Sequence, residues 1–196
     1  MNRAALHWGL SACIPHAGKT VSLERGYVYA TDGYTTGIAR VAQECVYAAL
    51  SLGEARDLAR FVKPTRKAHE VEDVDMLVNG NELHVAYYGE SAVFDMCEQD
   101  VTLNALYGLL TALYAMPTDS RELMFQPSFG ARFAKAQRVE TDILRVYPRL
   151  THRPVDRGVA LVTVGADFIG AIAGLAHDDA PTLLADFLQN AREEAA

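Results

Sequence analysis

The chain has 196 residues, half of them hydrophobic, with 18 lysines and arginines against 25 aspartates and glutamates, a net charge of −7. That apolar content buries a core and excludes a disordered chain. The negative balance excludes a protein that is basic all over but not a local basic stripe, because net charge and its distribution are separate facts. Cys13, Cys45 and Cys97 are odd in number and far apart, with no CxxC, so reduced thiols in a cytoplasmic protein are expected. The N-terminus shows no long apolar run followed by a cleavage site. Val159–Ala176 is interrupted by Asp167 and three glycines, which predicts buried strands and not a membrane span.

Arg3–Cys13 is expected as a helix with Leu6, Leu10 and Cys13 on one face and Arg3 and His7 on another, ended by Pro15 and Gly18. Gly18-Lys19-Thr20 copies the tail of a phosphate-binding loop, but a helix precedes it and a strand follows, so it is a decoy. Val21–Val41 follows as three strands turning at Arg25-Gly26 and at Asp32-Gly33, the latter expected as a type I′ hairpin. Cys45–Leu50 is strand-like. Ser51 opens a capping box with Glu54, and Leu52–Val62 follows as a helix with Ala55, Leu58, Ala59 and Val62 on one face. Arg56, Arg60 and Lys63 recur at i, i+4 and i+7 on another. Val74–Val78, Leu83–Tyr88 and Ser91–Met96 are three more strands, the first two joined through Asn79-Gly80.

Residues 1–98 therefore repeat one pattern twice, a helix with a three-stranded meander, which predicts an α+β fold of helices packed on antiparallel meander sheets. Thr102–Met116 is leucine-rich and uncharged, and is expected as a helix. Arg121–Phe125 is expected as a short strand and Ser128–Val139 as a helix after Pro127, with Phe129 and Phe133 on one face and Arg132, Lys135 and Arg138 on a broad basic side. Ile143–Tyr147, Val159–Val164 and Phe168–Ile172 complete the strands. Residues 178–196 are expected as a C-terminal amphipathic helix with a stripe of Leu183, Leu184, Phe187, Leu188 and Ala191.

No catalytic constellation stands out. The six histidines show no i, i+4 pair, and HExxH, GxSxG, GxGxxG and zinc-spaced Cys/His clusters are all missing. His177-Asp178-Asp179 is better explained by helix capping than by a metal. Neither an enzyme nor a cofactor or metal is expected.

The order of elements resembles the DNA sliding clamp family, in particular a diverged bacterial or phage relative of the polymerase III β subunit. The family motif V-x-A-T-D-G-H-R-L stands here as Val28-Tyr29-Ala30-Thr31-Asp32-Gly33-Tyr34-Thr35-Thr36, matching through Gly33 and departing at the Arg-Leu pair. Phe125-Gln126-Pro127-Ser128-Phe129 resembles the start of a clamp repeat helix. Phe168–Leu175 resembles the closing strand without its Met-Pro pair.

The resemblance implies DNA-clamp-like repeats: a clamp-like domain at 1–100, a reduced second one at 101–177, and the tail helix at 178–196. It implies a processivity factor that encircles duplex DNA and tethers polymerase or other replication proteins through short peptides. Helices would line the ring, so Arg56, Arg60, Lys63, Arg132, Lys135 and Arg138, with Arg3, would face DNA phosphates. Thr31, Gly33, Tyr34, Thr35 and Thr36 would line the partner-peptide pocket. The chain is shorter than a three-domain bacterial clamp, so closure implies a homo-oligomer of more copies, as in trimeric clamps with two domains each. The alternatives are a clamp-fold interaction or regulatory module that does not close a ring, and a small α+β enzyme.

Overall fold

The structure, a computed structural model, describes residues 1–42, 46–65, 72–118, 123, 125–150 and 157–176. Its elements follow in chain order. Helix α1 (Arg3–Cys13) leads into strands β1 (Thr20–Glu24), β2 (Tyr27–Thr31) and β3 (Thr35–Arg40). Strand β4 (Ala48–Ser51) runs straight into α2 (Leu52–Phe61), which precedes β5 (Asp75–Asn79), β6 (Glu82–Tyr87) and β7 (Glu90–Asp95). Then come α3 (Leu103–Ala115), α4 (Pro127–Arg132), β8 (Leu144–Arg149), β9 (Arg157–Val164) and β10 (Phe168–Ala176).

All strand pairs are antiparallel. They form a seven-stranded sheet in the order β4-β1-β2-β3-β10-β9-β8 and a three-stranded sheet β5-β6-β7. The sheets meet where Leu50 bridges Met96 and the Cys97 N–H donates to the Ala49 carbonyl. The β3–β10 pairing carries the large sheet across the division expected near residue 100.

Strand side chains alternate between faces, and here each face has its own core. Val28, Ala39, Val162 and Ile172 point to α1, α2 and the 3-10 turn Phe133–Ala136. Their strand neighbours Tyr29, Ile38, Leu161 and Ala171 lie on the opposite face beneath Leu103, Leu106, Leu110 and Leu113 of α3. So α3 stands apart from the other helices. Its four leucines fall on one stripe, and no charge on the helix demands water.

The caps follow the sequence. Asn2 accepts from the Ala5 N–H at 2.9 Å, Ser51 from Glu54 at 3.2 Å and Thr102 from Ala105 at 3.2 Å. Gly9 lets α1 lie close on the sheet, since a Cβ there would stand 2.2 Å from Val41. The Asp32-Gly33 hairpin differs from expectation. Only Gly33 has positive φ (85°), whereas a type I′ turn needs it at both central residues. Asp32 holds the turn instead, accepting from the N–H groups of Tyr34 (2.9 Å) and Thr35 (2.7 Å).

The expected helix Ser128–Val139 stops at Arg132 and tightens into the 3-10 turn, which brings Phe133 and Ala136 to one buried side. Leu123 and Phe125 lie outside any strand, and the rest of the Arg121–Phe125 expectation falls largely on 121, 122 and 124, beyond the described residues. The tail helix expected at 178–196 also lies outside them.

Candidate nucleic-acid and partner interface

Helix α2 seats Ala55, Leu58 and Ala59 in the core, so Arg56 and Arg60 project from its other side, whereas Lys63 lies past the helix end at Phe61 and does not extend their stripe; all three are exposed. Arg60 pairs with Asp57. No ion pair of Arg56 or Lys63 occurs among the described residues. The second basic group is split by the break after α4. Arg132 stands on α4, Lys135 on the 3-10 turn and Arg138 beyond it, so the three share no single helix face.

Arg132 reaches the β2–β3 turn. It pairs with Asp32, donates to the Thr35 hydroxyl at 2.9 Å and lies 4.6 Å over the Phe129 ring. Burial opposes the Asp32 charge, but the Thr35 N–H, the Arg132 guanidinium and the Tyr34 N–H together hold its carboxyl below the usual carboxylate range. Arg138 donates to Asp167 at 3.1 Å, and Arg40 contacts the same carboxylate at 2.6 Å.

Arg3 is not a surface cation. It is 4 % exposed, and its guanidinium donates to the carbonyls of Val62 (3.1 Å) and Lys63 (3.0 Å), pairs with Glu72 at 2.7 Å and lies 3.8 Å over the Tyr87 ring. Its partners lie at the end of α2, just before β5 and on β6, so it ties α1 to them and is withdrawn from any phosphate-facing set.

Among the expected pocket residues, Tyr34 is 56 % exposed and stacks on Phe129 at 5.9 Å. Gly33 is exposed and Thr31 half-buried. Thr35 and Thr36 are buried, because the turn folds them into the sheet: Thr35 beneath Asp32 and Arg132, and Thr36 against the Thr31 hydroxyl at 3.0 Å. They shape the turn from below and present no wall to a ligand.

No family model matches this sequence, and no curated protein matches it. Solved structures do. A protein assigned as a DNA polymerase III β subunit from Eubacterium rectale superposes with a TM-score of 0.61 at 11 % identity, over 89 % of this chain and 64 % of its own. The DNA polymerase sliding clamp from Pseudomonas aeruginosa gives 0.59 at 10 % identity, over 90 % and 66 %. The A. fulgidus PCNA, solved with the C-terminal region of FEN-1, gives 0.55 at 11 % identity, over 92 % and 98 %.

The fold is a sliding-clamp fold.

The chain spans about two thirds of the bacterial clamp chains and nearly the full length of the PCNA chain. Within this clamp fold, the helix–meander repeat and the Asp32-Gly33 turn stand where the sequence placed them. Three features were missed. Asp167, which joins Arg40 to Arg138, sits in a β9–β10 turn with no motif. The placement of α3 on the opposite face is a matter of which side its leucines meet, which periodicity alone does not tell.

The third is His16. It is fully buried behind the turn, 4.6 Å from the Phe133 ring and 5.9 Å from Phe168, with neither ring nitrogen hydrogen-bonded. Burial, reinforced by Arg132 and offset in part by Asp32, lowers its pKa to about 4.

Proposed function

We propose that this protein is a non-catalytic, sliding-clamp-like processivity factor whose copies close a ring around duplex DNA and tether replication proteins through short peptides. The observation that carries the reading is the clamp fold with α1, α2 and the α4 region on one face of a continuous sheet, and with Arg56 and Arg60 on the side of α2 turned away from it and exposed Lys63 just past its end. Lys135, and the exposed share of Arg138, add to that surface. Contacts of this kind reach phosphates, so they are independent of sequence and weakened by salt.

Closure is supported by two strand edges. Among the described residues β5 pairs on one side only, and β8 does so except at its end, where Thr118 bridges Arg149; the open part of β8 exposes Leu144 and Val146. An open edge is a natural pairing site for another chain, and head-to-tail pairing of unlike edges gives rings. A partner peptide fits best beside Gly33 and Thr31, where Tyr34 and Phe129 form a rigid two-ring wall.

Particle images and solution mass test the reading together. A particle of several copies with a hole wide enough for duplex DNA is expected, and monomer alone at high protein concentration overturns the ring. A Tyr34→Ala protein that keeps its fold and binds a polymerase peptide unchanged removes the peptide site.

A second reading is a clamp-fold interaction module that does not close. It is favoured by the pairing of Arg132 with Asp32 and Arg138 with Asp167, which takes two cations away from duplex DNA. Monomeric mass with peptide binding retained at Tyr34 selects it.

A further inference from the structure

Strand β8 reads Leu144-Arg145-Val146-Tyr147-Pro148-Arg149, and its side chains alternate between the faces of the sheet. Leu144 and Val146 pair with Val164 and Val162, which belong to the core beneath α1. Tyr147 pairs with Leu161, which packs under α3, so Arg145, Tyr147 and Arg149 share the α3 face. Tyr114, near the end of α3, stands beside them. The Arg149 guanidinium lies 5.8 Å from its ring and 6.0 Å from the Tyr147 ring.

No carboxylate answers these two cations among the described residues. Their cross-strand neighbours are Thr163 and Val159. The preceding acid, Asp142, accepts instead from the N–H groups of Arg138 and Val139. Arg149 uses only Nη1, in long bonds of 3.5 and 3.3 Å to the Met116 carbonyl and the Thr118 hydroxyl, and its Nε has no partner among the described residues. Two unanswered cations on one face form a local positive field on a chain of net charge −7. They stand about 13 Å apart along the strand, with Tyr147 between them. Tyr147 is 38 % exposed and Tyr114 74 %, so both rings reach solvent.

Cations follow a phosphate backbone, and an aromatic ring accepts the face of any base. A duplex keeps its base faces stacked inside, so rings of this kind match an unpaired strand. We propose that the α3 face of β8 binds single-stranded nucleic acid, with Arg145 and Arg149 on phosphates and bases stacked on Tyr147 and Tyr114. The site lies across the sheet from Arg56 and Arg60, and it rests on neither the duplex nor the ring reading. A second copy paired with the open edge of β8 leaves these side chains on the sheet face, because backbone groups make that pairing.

Fluorescence anisotropy of the full chain with labelled oligo-dT tests it, in a background carrying Arg56→Glu and Arg60→Glu so that the α2 stripe is silent. Binding is expected in that background. Tyr147→Ala should weaken it about 5- to 150-fold, and Tyr147→Phe, which keeps the ring, should stay near the background value. Arg145→Ala should flatten the slope of log affinity against log salt by about 0.7. Absence of oligo-dT binding in the background protein overturns the proposal. Unchanged affinity in both Tyr147→Ala and Arg145→Ala overturns it too. So does a glutamate-rich peptide that binds at these residues while oligo-dT does not, which would make the row a protein-docking surface. Should a variant fail to fold, photocross-linking of the unaltered chain to a bromodeoxyuridine strand decides. Adducts on Tyr147 or Tyr114 are expected there, and adducts confined to other residues overturn the assignment.

Discussion

Asp32 and Arg132, one hundred positions apart, form an ion pair that fastens the β2–β3 turn to the end of α4. The same guanidinium bonds the Thr35 hydroxyl and covers the Phe129 ring, and Phe129 in turn stacks on Tyr34. One arginine thus holds the aromatic pair in place.

Replacing it should loosen both the turn and the stack. Arg132→Ala leaves Asp32 half-buried without its cation, so a loss of about 1–3 kcal/mol is expected in urea unfolding. Arg132→Lys should recover only part of it, because a lysine cannot serve the carboxylate, the hydroxyl and the ring together. Equal stability of all three proteins would show that the turn holds without the pair.

Acid should destabilise the protein through His16. Its pKa in the folded chain is about 4 against 6.5 for the free side chain, so the unfolded chain binds the extra proton. Stability is whole above pH 6.5, falls as pH drops from there, and levels off near pH 4, a loss on the order of 3 kcal/mol from this group. His16→Leu should flatten that part of the curve. Asp32, whose pKa is depressed, adds a separate loss at lower pH, below its ordinary carboxylate value. A curve for His16→Leu that runs parallel to the parent between pH 6.5 and 4 would remove His16 as the cause.

Arg3 should matter to folding and not to DNA. Arg3→Met gives up two bonds to carbonyls, the pair with Glu72 and the stack on Tyr87, and breaking a buried pair costs about 3–5 kcal/mol. The melting temperature should fall, while duplex affinity per folded molecule, measured well below that temperature, stays at the parent value. A selective loss of affinity with unchanged melting would return Arg3 to the DNA-facing set.

The α2 stripe should behave in the opposite way. Arg56→Glu with Arg60→Glu changes exposed side chains, so stability should move little. Affinity should drop about equally for every duplex sequence, and more at low salt than at high. Every phosphate that is no longer neutralised should flatten the slope of log affinity against log salt by about 0.9. Fluorescence anisotropy over a salt series reads this directly, and an unaltered slope would make the stripe a solvated face only.

What the amino-acid sequence determined by itself was local. Period-two runs and glycine turns set out the strands, Ser51 and Thr102 capped their helices, and the apolar spacing of Leu6, Leu10 and Leu58 chose the buried sides of α1 and α2. These signals act within a few residues, where backbone sterics and hydrogen bonds decide. The Val28–Gly33 motif and the order of elements around it also carried the clamp-like fold. What only the tertiary structure decided was long-range. Periodicity showed that α3 has an apolar stripe but not that it would lie opposite the other helices, a choice made by Tyr29, Ile38, Leu161 and Ala171 from four strands. Arg3 read as a terminal cation because its acceptors, Val62 and Lys63, lie about sixty residues away. The expected run of Arg132, Lys135 and Arg138 broke up because Phe133 and Ala136 both bury, which winds the chain into a 3-10 turn and sends Arg132 to Asp32 and Arg138 to Asp167. A charge takes the partner that packing brings near, and sequence spacing cannot name a partner that only the fold delivers.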